Sequence, residues 1–363
     1  MYNDKGGKGA IELNLSEVEF IDNEAVTGGG LYGQSVGEAS SSGSDTLTER
    51  LDRVKFTRNR AENGGGIYLE IRYQSASLFR HVYSNLVFTA NEALSNGGAV
   101  CYKYRHTPGG CNTSPTKGLY FVNSLFHGNT ASLGGGIYMQ SVRRQSEHLL
   151  FNDVFVKNRA SDGGGIFIFA SNDSTTGQLN QSQLINVSFG YNRASGTGGG
   201  MAIHGGKYSF MKPTITNAVF WGNRAGEGAQ IYDDRARYSY IWEWEGDLER
   251  RPAPVINYSL IQGGCPEWAL CGDVLLDEGP FFIGRGKRSL LRLGKRSPAI
   301  NAGTNEVLPV DQADLDGDGD FEEQVPYDFL GNDRVQCNHV DMGAYEYDAV
   351  KRSRRGRHAR RAK

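Results

Sequence analysis

The chain has 363 residues, enough for two or three ordinary domains or for one elongated repeat domain. Its 49 glycines fall mainly in clusters of two or three at a recurring interval, which excludes collagen and a low-complexity linker. The formal charge of −2 hides two opposed regions: Lys351–Lys363 holds eight Lys or Arg and no acid, which leaves 31 basic against 41 acidic side chains, a body of −10. No run approaches the roughly 18 consecutive apolar residues of a spanning helix.

From its first residues the chain reads as a repeat. Met1-Tyr2-Asn3 falls at the register of the Ile-Tyr that follows each glycine cluster, as in Ile67-Tyr68, and no signal-peptide pattern precedes it. The expectation is a chain that starts in mid-coil, with an export signal further upstream. The string F-x-x-N-x-A, followed by a glycine cluster and Ile-Tyr or a near variant, then occurs seven times. Its phenylalanines are Phe20, Phe56, Phe88, Phe126, Phe155, Phe189 and Phe220, at intervals of 36, 32, 38, 29, 34 and 31. Its asparagines are Asn23, Asn59, Asn91, Asn129, Asn158, Asn192 and Asn223.

Each repeat predicts one coil. A β-type stretch leads into the Phe, as in Leu184–Phe189 and Ile215–Phe220, and a second follows the glycines, as in Gly165–Phe169. Stacked in parallel about 4.8 Å apart, such coils place Phe over Phe and Asn over Asn, so the amides form a ladder. A second Asn column is expected three residues before the Phe position, at Asn123, Asn152, Asn186, Asn217 and Asn257. The fold class is therefore all-β, a right-handed parallel β-helix of about eight coils over 1–262, with a small C-terminal capping module over 263–350 and a basic tail over 351–363. Length varies at one place in each coil, in the segments Gly33–Thr48, Arg72–His81, Lys103–Lys117, Ser171–Gln183 and Asp233–Arg251. Insertions that recur at one place emerge on one side, where repeat proteins often bind.

The F-x-x-N-x-A-x-x-G-G-G-I-Y unit resembles the repeats of bacterial surface β-helices, including polymorphic outer-membrane proteins. The C-terminal part runs Ser297-Pro298-Ala299-Ile300-Asn301-Ala302-Gly303, then Asp314-Leu315-Asp316-Gly317-Asp318-Gly319, Tyr327-Asp328, Gly331-Asn332, Arg334 and Val340-Asp341-Met342-Gly343-Ala344-Tyr345-Glu346. This order is similar to the end of choice-of-anchor Q proteins, which are secreted or surface β-helix proteins. The resemblance implies an extracellular or cell-surface location and no defined activity. In place of the usual anchor stands the basic tail.

Several constellations can carry chemistry. Asp314, Asp316, Asp318 and Asp320 alternate with Gly317 and Gly319 as in the first half of an EF-hand loop, which makes Ca2+ the cofactor to expect; Val325 stands where that loop has its bidentate acid, with Glu322, Glu323 and Asp328 the nearby candidates. The alternative is a solvated acidic loop. Tyr238, Tyr240, Trp242 and Trp244 alternate in one insertion and would share one side of a strand, either packed on the flank or offered as an aromatic binding platform. Cys101 with Cys111, and Cys265 with Cys271, are close enough in sequence to pair, or stay as thiols; Cys337 is left over. Asp153 stands out within one coil, with an exposed position as its plainer reading, and Asp233 and Asp234 adjoin Arg235. The seven histidines show no metal spacing. The basic tail is either a polyanion contact or a disordered end; it lacks the interleaved aromatics and fold of a specific nucleic-acid binder. The expected function is non-catalytic: adhesion, scaffolding or carbohydrate binding by a monomer, against a surface polysaccharide or another surface protein. The second reading is a polysaccharide lyase or glycoside hydrolase, which uses the same fold but needs clustered acids on one face.

Overall fold

The Phe and Asn of the repeat explain how one coil sits on the next. The computed structural model describes residues 2–5, 11–37, 46–73, 78–106, 116–142, 146–171, 178–205, 209–234, 253–276, 278–283 and 290–347, and every regular element among them is a strand. Three parallel sheets of eight, nine and eleven strands run along the stack, so the chain is a parallel β-solenoid. One sheet holds the strands after each glycine cluster, from Tyr2–Lys5 to Ile231–Asp233, with Tyr2 paired to Tyr32. A second holds the Phe strands, from Glu19–Ile21 through Val274–Leu276. The third runs from Ile11–Ser16 to Leu270–Cys271. Two of the three sheets thus continue beyond residue 262, where the sequence reading ended the solenoid. Among the described residues no helix is long and apolar enough to cross a membrane.

Phe56, Phe88, Phe126, Phe155, Phe189 and Phe220 are fully buried and stack face to face at 4.4–4.9 Å. Burying each ring contributes roughly 1.5–3 kcal/mol before the stacking is counted. The Asn ladder runs without a break: Nδ2 of Asn59, Asn91, Asn129, Asn158 and Asn192 each donates to the Oδ1 of the next Asn at 2.9–3.0 Å. Asn23 begins it, bonding Asn59 at 2.8 Å. Each Oδ1 also accepts the backbone N–H of the preceding Asn, and each Nδ2 reaches back to a Phe carbonyl, as Asn158 does to Phe126 at 2.9 Å. Asn223 passes the ladder to Gln230 at 2.7 Å. In the glycine cluster, Gly163 takes a φ of 66°, and a Cβ on Gly164 would strike the Gly199 carbonyl of the next coil. That collision is why the cluster recurs.

Three readings of the sequence change. Leu184–Phe189 is two strands rather than one, Gln183–Ile185 and Ser188–Gly190, bent at Asn186 with φ 52°. Ile215–Phe220 bends likewise at Asn217 with φ 55°. Asn tolerates this left-handed conformation better than other side chains, so it marks the corner and not the strand interior. In the last coil the corner is Tyr258, φ 45°, and not Asn257, because Phe220 pairs with Ile261 and moves the register by one. The segments read as variable loops also carry strand at their ends, such as Leu31–Gly37, Thr46–Asp52 and Leu78–Ser84.

Candidate functional site

Inward-facing strand positions carry titratable groups that the repeat pattern does not announce. Glu49 and His81 pair across two coils inside the tube, with His81 Nδ1 at 2.9 Å from Glu49 Oε2, and the Tyr83 hydroxyl donates to the same oxygen at 2.8 Å. His148 accepts the Leu119 N–H at Nδ1, 3.1 Å, while its Nε2 has no partner. Burial, helped by the nearby His81, lowers the His148 pKa to about 4. All of these side chains are sealed from solvent. Alternation within Thr46–Asp52, Leu78–Ser84 and Ser146–Phe151 was the signal for them, and the loop reading of Arg72–His81 hid it at His81.

Residues 290–347 lie along the flank of the stack, and the motif residues of this region converge there. Arg334, 1% exposed, bonds Asn152 Oδ1 at 3.0 Å, the Asp341 carbonyl at 2.9 Å and Glu346 Oε1 at 2.6 Å. Burial raises the Glu346 pKa to about 8, with the Arg334 guanidinium pulling it down. Asp328 accepts the Leu330, Asn332 and Glu346 N–H groups at 2.8 Å each, and Asp341 those of Asn301 and Tyr347 at 2.7 and 2.6 Å. The second Asn column is the docking edge for this module. Asn152 Nδ2 donates to the Tyr327 carbonyl, Asn186 to Asp341 and Asn217 to Thr304, at 2.8–3.0 Å. Gly343 fits because a side chain there would meet Ser188, whose Oγ accepts the Ala344 N–H.

The acidic loop closes on itself at the edge of this module. Val310 bridges Gln324, Asp311 N donates to the Glu323 carbonyl at 2.7 Å, and Arg50 of the solenoid donates to the Gln312 carbonyl at 3.2 Å. Inside the loop, Gly319 N donates to Asp314 Oδ1 at 3.1 Å and Asp320 N to Asp318 Oδ1 at 2.7 Å. Two triplets of carboxylates have oxygens within 4.8 Å of one another: Asp314, Asp316 and Asp318, and Asp311, Asp316 and Glu323. Asp320 is in neither, whereas Asp311, absent from the sequence-based set, and Glu323, one of its nearby acids, are brought in by loop closure. Burial, then the surrounding Asp316, Asp318, Asp320 and Asp311, raises the Glu323 pKa, and its Oε1 is buried without a partner. Asp311 is also raised, chiefly by burial, although the Leu315 and Ala313 N–H groups oppose this. The chemistry available is that of a hard, oxygen-rich cation site.

Other predicted residues fall as follows. Cys265 and Cys271 form a disulfide with Cα atoms 6.2 Å apart. Cys101 is a free thiol packed in a cluster with Tyr68 and Tyr138, where burial pushes its pKa to about 12; Cys111 lies outside the described residues. Asp153 is fully buried, which replaces the exposed position read for it, and caps the Ser124 N–H at 2.8 Å; burial pushes its pKa well up. Asp234 accepts the Gly205 N–H at 3.1 Å and stands 3.3 Å from His204 Nδ1; Asp233 is buried beside it. Arg235, Tyr238, Tyr240, Trp242, Trp244 and the basic tail lie outside the described residues. Comparison of the chain with family models, curated proteins and solved structures gives no match.

Proposed function

We propose that the chain is a non-catalytic surface β-solenoid of the choice-of-anchor Q type, acting in adhesion or scaffolding by binding an extracellular glycan or surface protein. The observation that carries this reading is where its titratable groups are used. Glu49, His81 and His148 are sealed in the tube, Asp153, Asp328 and Asp341 cap backbone N–H groups, and Glu346 pairs with Arg334. A general acid or base must reach its substrate, so these groups serve the fold. What remains outside are columns of exposed side chains, one position per coil, whose residues change along the stack, which suits recognition of an extended partner. The test is a panel of neutral and acidic polysaccharides and surface extracts. Saturable binding without release of new chain ends is expected, and turnover of any member would overturn the reading.

Within this function the acidic loop takes Ca2+, held by Asp311, Asp316 and Glu323 with Asp314 and Asp318 on the adjoining side. The ion would neutralise carboxylates that otherwise repel one another and would tie the start of the loop to its end. Ca2+ at about 100 times its Kd should stabilise the protein by about 2.7 kcal/mol, and a chelator should reverse this. Asp316→Asn with Asp318→Asn should abolish the response in calorimetry and in the melting temperature. A response that survives both changes would place the metal elsewhere.

A further inference from the structure

The residue that follows each ladder Asn faces outward, and across the seven repeats it reads Glu24, Arg60, Glu92, Thr130, Arg159, Arg193, Arg224. Parallel bridges set each of these against the next, from Glu24 with Arg60 to Arg193 with Arg224. The first coils alternate in sign, and Arg60 lies 3.8 Å from Glu92. The last three do not. Arg159, Arg193 and Arg224 stand one above another at the coil spacing of about 4.8 Å, and Lys157 lies beside them two residues before Arg159. All four are exposed, and no carboxylate among the described residues lies within ion-pair distance of any of them. Like charges on adjacent strands destabilise a sheet, so this arrangement is held against its own repulsion.

Beside the arginines is a groove of about 820 Å³ lined by Lys157, Arg159, Tyr191, Arg193, Arg224 and Gln262. Tyr191 is 47% exposed at a left-handed corner, φ 58°, that Lys157 fills in the coil before and Gly222 in the coil after. Its ring lies against Gly222, where any Cβ would strike it. Gln262 Oε1 accepts the Gly222 N–H at 2.8 Å, which fixes the side-chain amide at the rim.

We propose that this groove binds an acidic polysaccharide, carboxylated or sulfated, laid along the solenoid axis with its anions on Arg159, Arg193 and Arg224 and a sugar ring against Tyr191. The coil spacing is close to the length of one pyranose in an extended chain, so successive anions meet successive guanidinium groups, which pair with carboxylate or sulfate through two parallel N–H donors. A single-stranded nucleic acid is held instead on a series of aromatic platforms, and this groove has one tyrosine for three cationic rungs. The inference rests on the reading of the chain as a surface binder and names the site and ligand class.

The experiment measures binding of the full chain to a polyuronate, a sulfated glycosaminoglycan, a neutral glucan and single-stranded DNA. The first two should bind, with affinity falling as ionic strength rises from about 0.05 to about 0.5 M. Arg159→Gln, Arg193→Gln and Arg224→Gln together should weaken this by about a hundredfold, and Tyr191→Ala by about tenfold. Arg53→Gln with Arg58→Gln, on the N-terminal coils, should leave it unchanged. If the triple variant is poorly folded, Arg193→Gln alone should still weaken binding, while the melting temperature of the wild type rises with added glycan. Undiminished binding by folded variants, or tighter binding of DNA than of either acidic glycan, overturns the proposal. Binding of the neutral glucan alone overturns it but leaves the surface-binder reading standing; binding to nothing, surface extracts included, overturns both.

Discussion

The early and late coils share one interior and differ in what they show to solvent. In the early coils the outward columns neutralise themselves: Arg53 with Glu17 at 3.2 Å, Lys55 with Glu19, and Arg58 with Asp22 at 2.6 Å. In the later coils one edge carries the uncompensated arginines, while the Asn corners at 152, 186 and 217 are covered by the C-terminal module. The difference teaches that the repeated interior carries the fold, which frees the exterior to vary from coil to coil. Stability should therefore respond strongly to changes in the interior or the docking edge and weakly to changes in the outward pairs.

The largest effect is expected at the docking edge. Arg334→Leu leaves Glu346 and Asn152 Oδ1 buried without their Arg334 partner, and breaking a buried pair from one side costs about 3–5 kcal/mol. Hydrogen exchange should show the 297–347 region opening first, while the Phe strands of the early coils stay protected. Uniform protection across both would mean that the module and the solenoid unfold as one unit.

Acid comes next. His148 is neutral in the folded protein because its pKa is lowered from 6.5 to about 4, whereas the unfolded chain takes up its proton near the ordinary value. Its contribution is complete above that value and is lost as pH falls from about 6.5 to about 4, by roughly 3 kcal/mol. His148→Asn keeps an acceptor near the Leu119 N–H and cannot titrate, so its denaturation curves should lose that part of the acid slope. An unchanged slope would assign it to other groups.

The third test sets interior against exterior directly. Asn158→Ala strands the Asn129 N–H and one Nδ2 hydrogen of Asn129, while Asn192 Oδ1 keeps the Asn158 N–H, at a cost of about 1–3 kcal/mol. Arg58→Gln breaks only an exposed ion pair with Asp22, where burial is negligible and the change in melting temperature should be near the error of measurement. Equal destabilisation by the two would remove the distinction between the shared interior and the variable surface.

The seven Phe and seven Asn positions could be read directly because a solenoid repeats its environment. A residue that must stack on its own copy appears in every coil, so the ladder and the ring column need no partner from elsewhere in the chain. The glycine clusters follow for the same reason, since the next backbone lies where their Cβ would be. The rest depends on contacts that occur once. His81 reads as the end of a loop, and Glu49 as an ordinary acid, until their strands turn them inward together. Asp311 and Glu323 become neighbours only when the acidic loop closes through Val310 and Gln324. Arg334 meets Asn152 across 182 residues, and that contact turns a second Asn column from a simple corner into a docking edge. Local chemistry repeated at a fixed interval determined the coil; three-dimensional closure decided which of its outward residues are paired, covered or left free to bind.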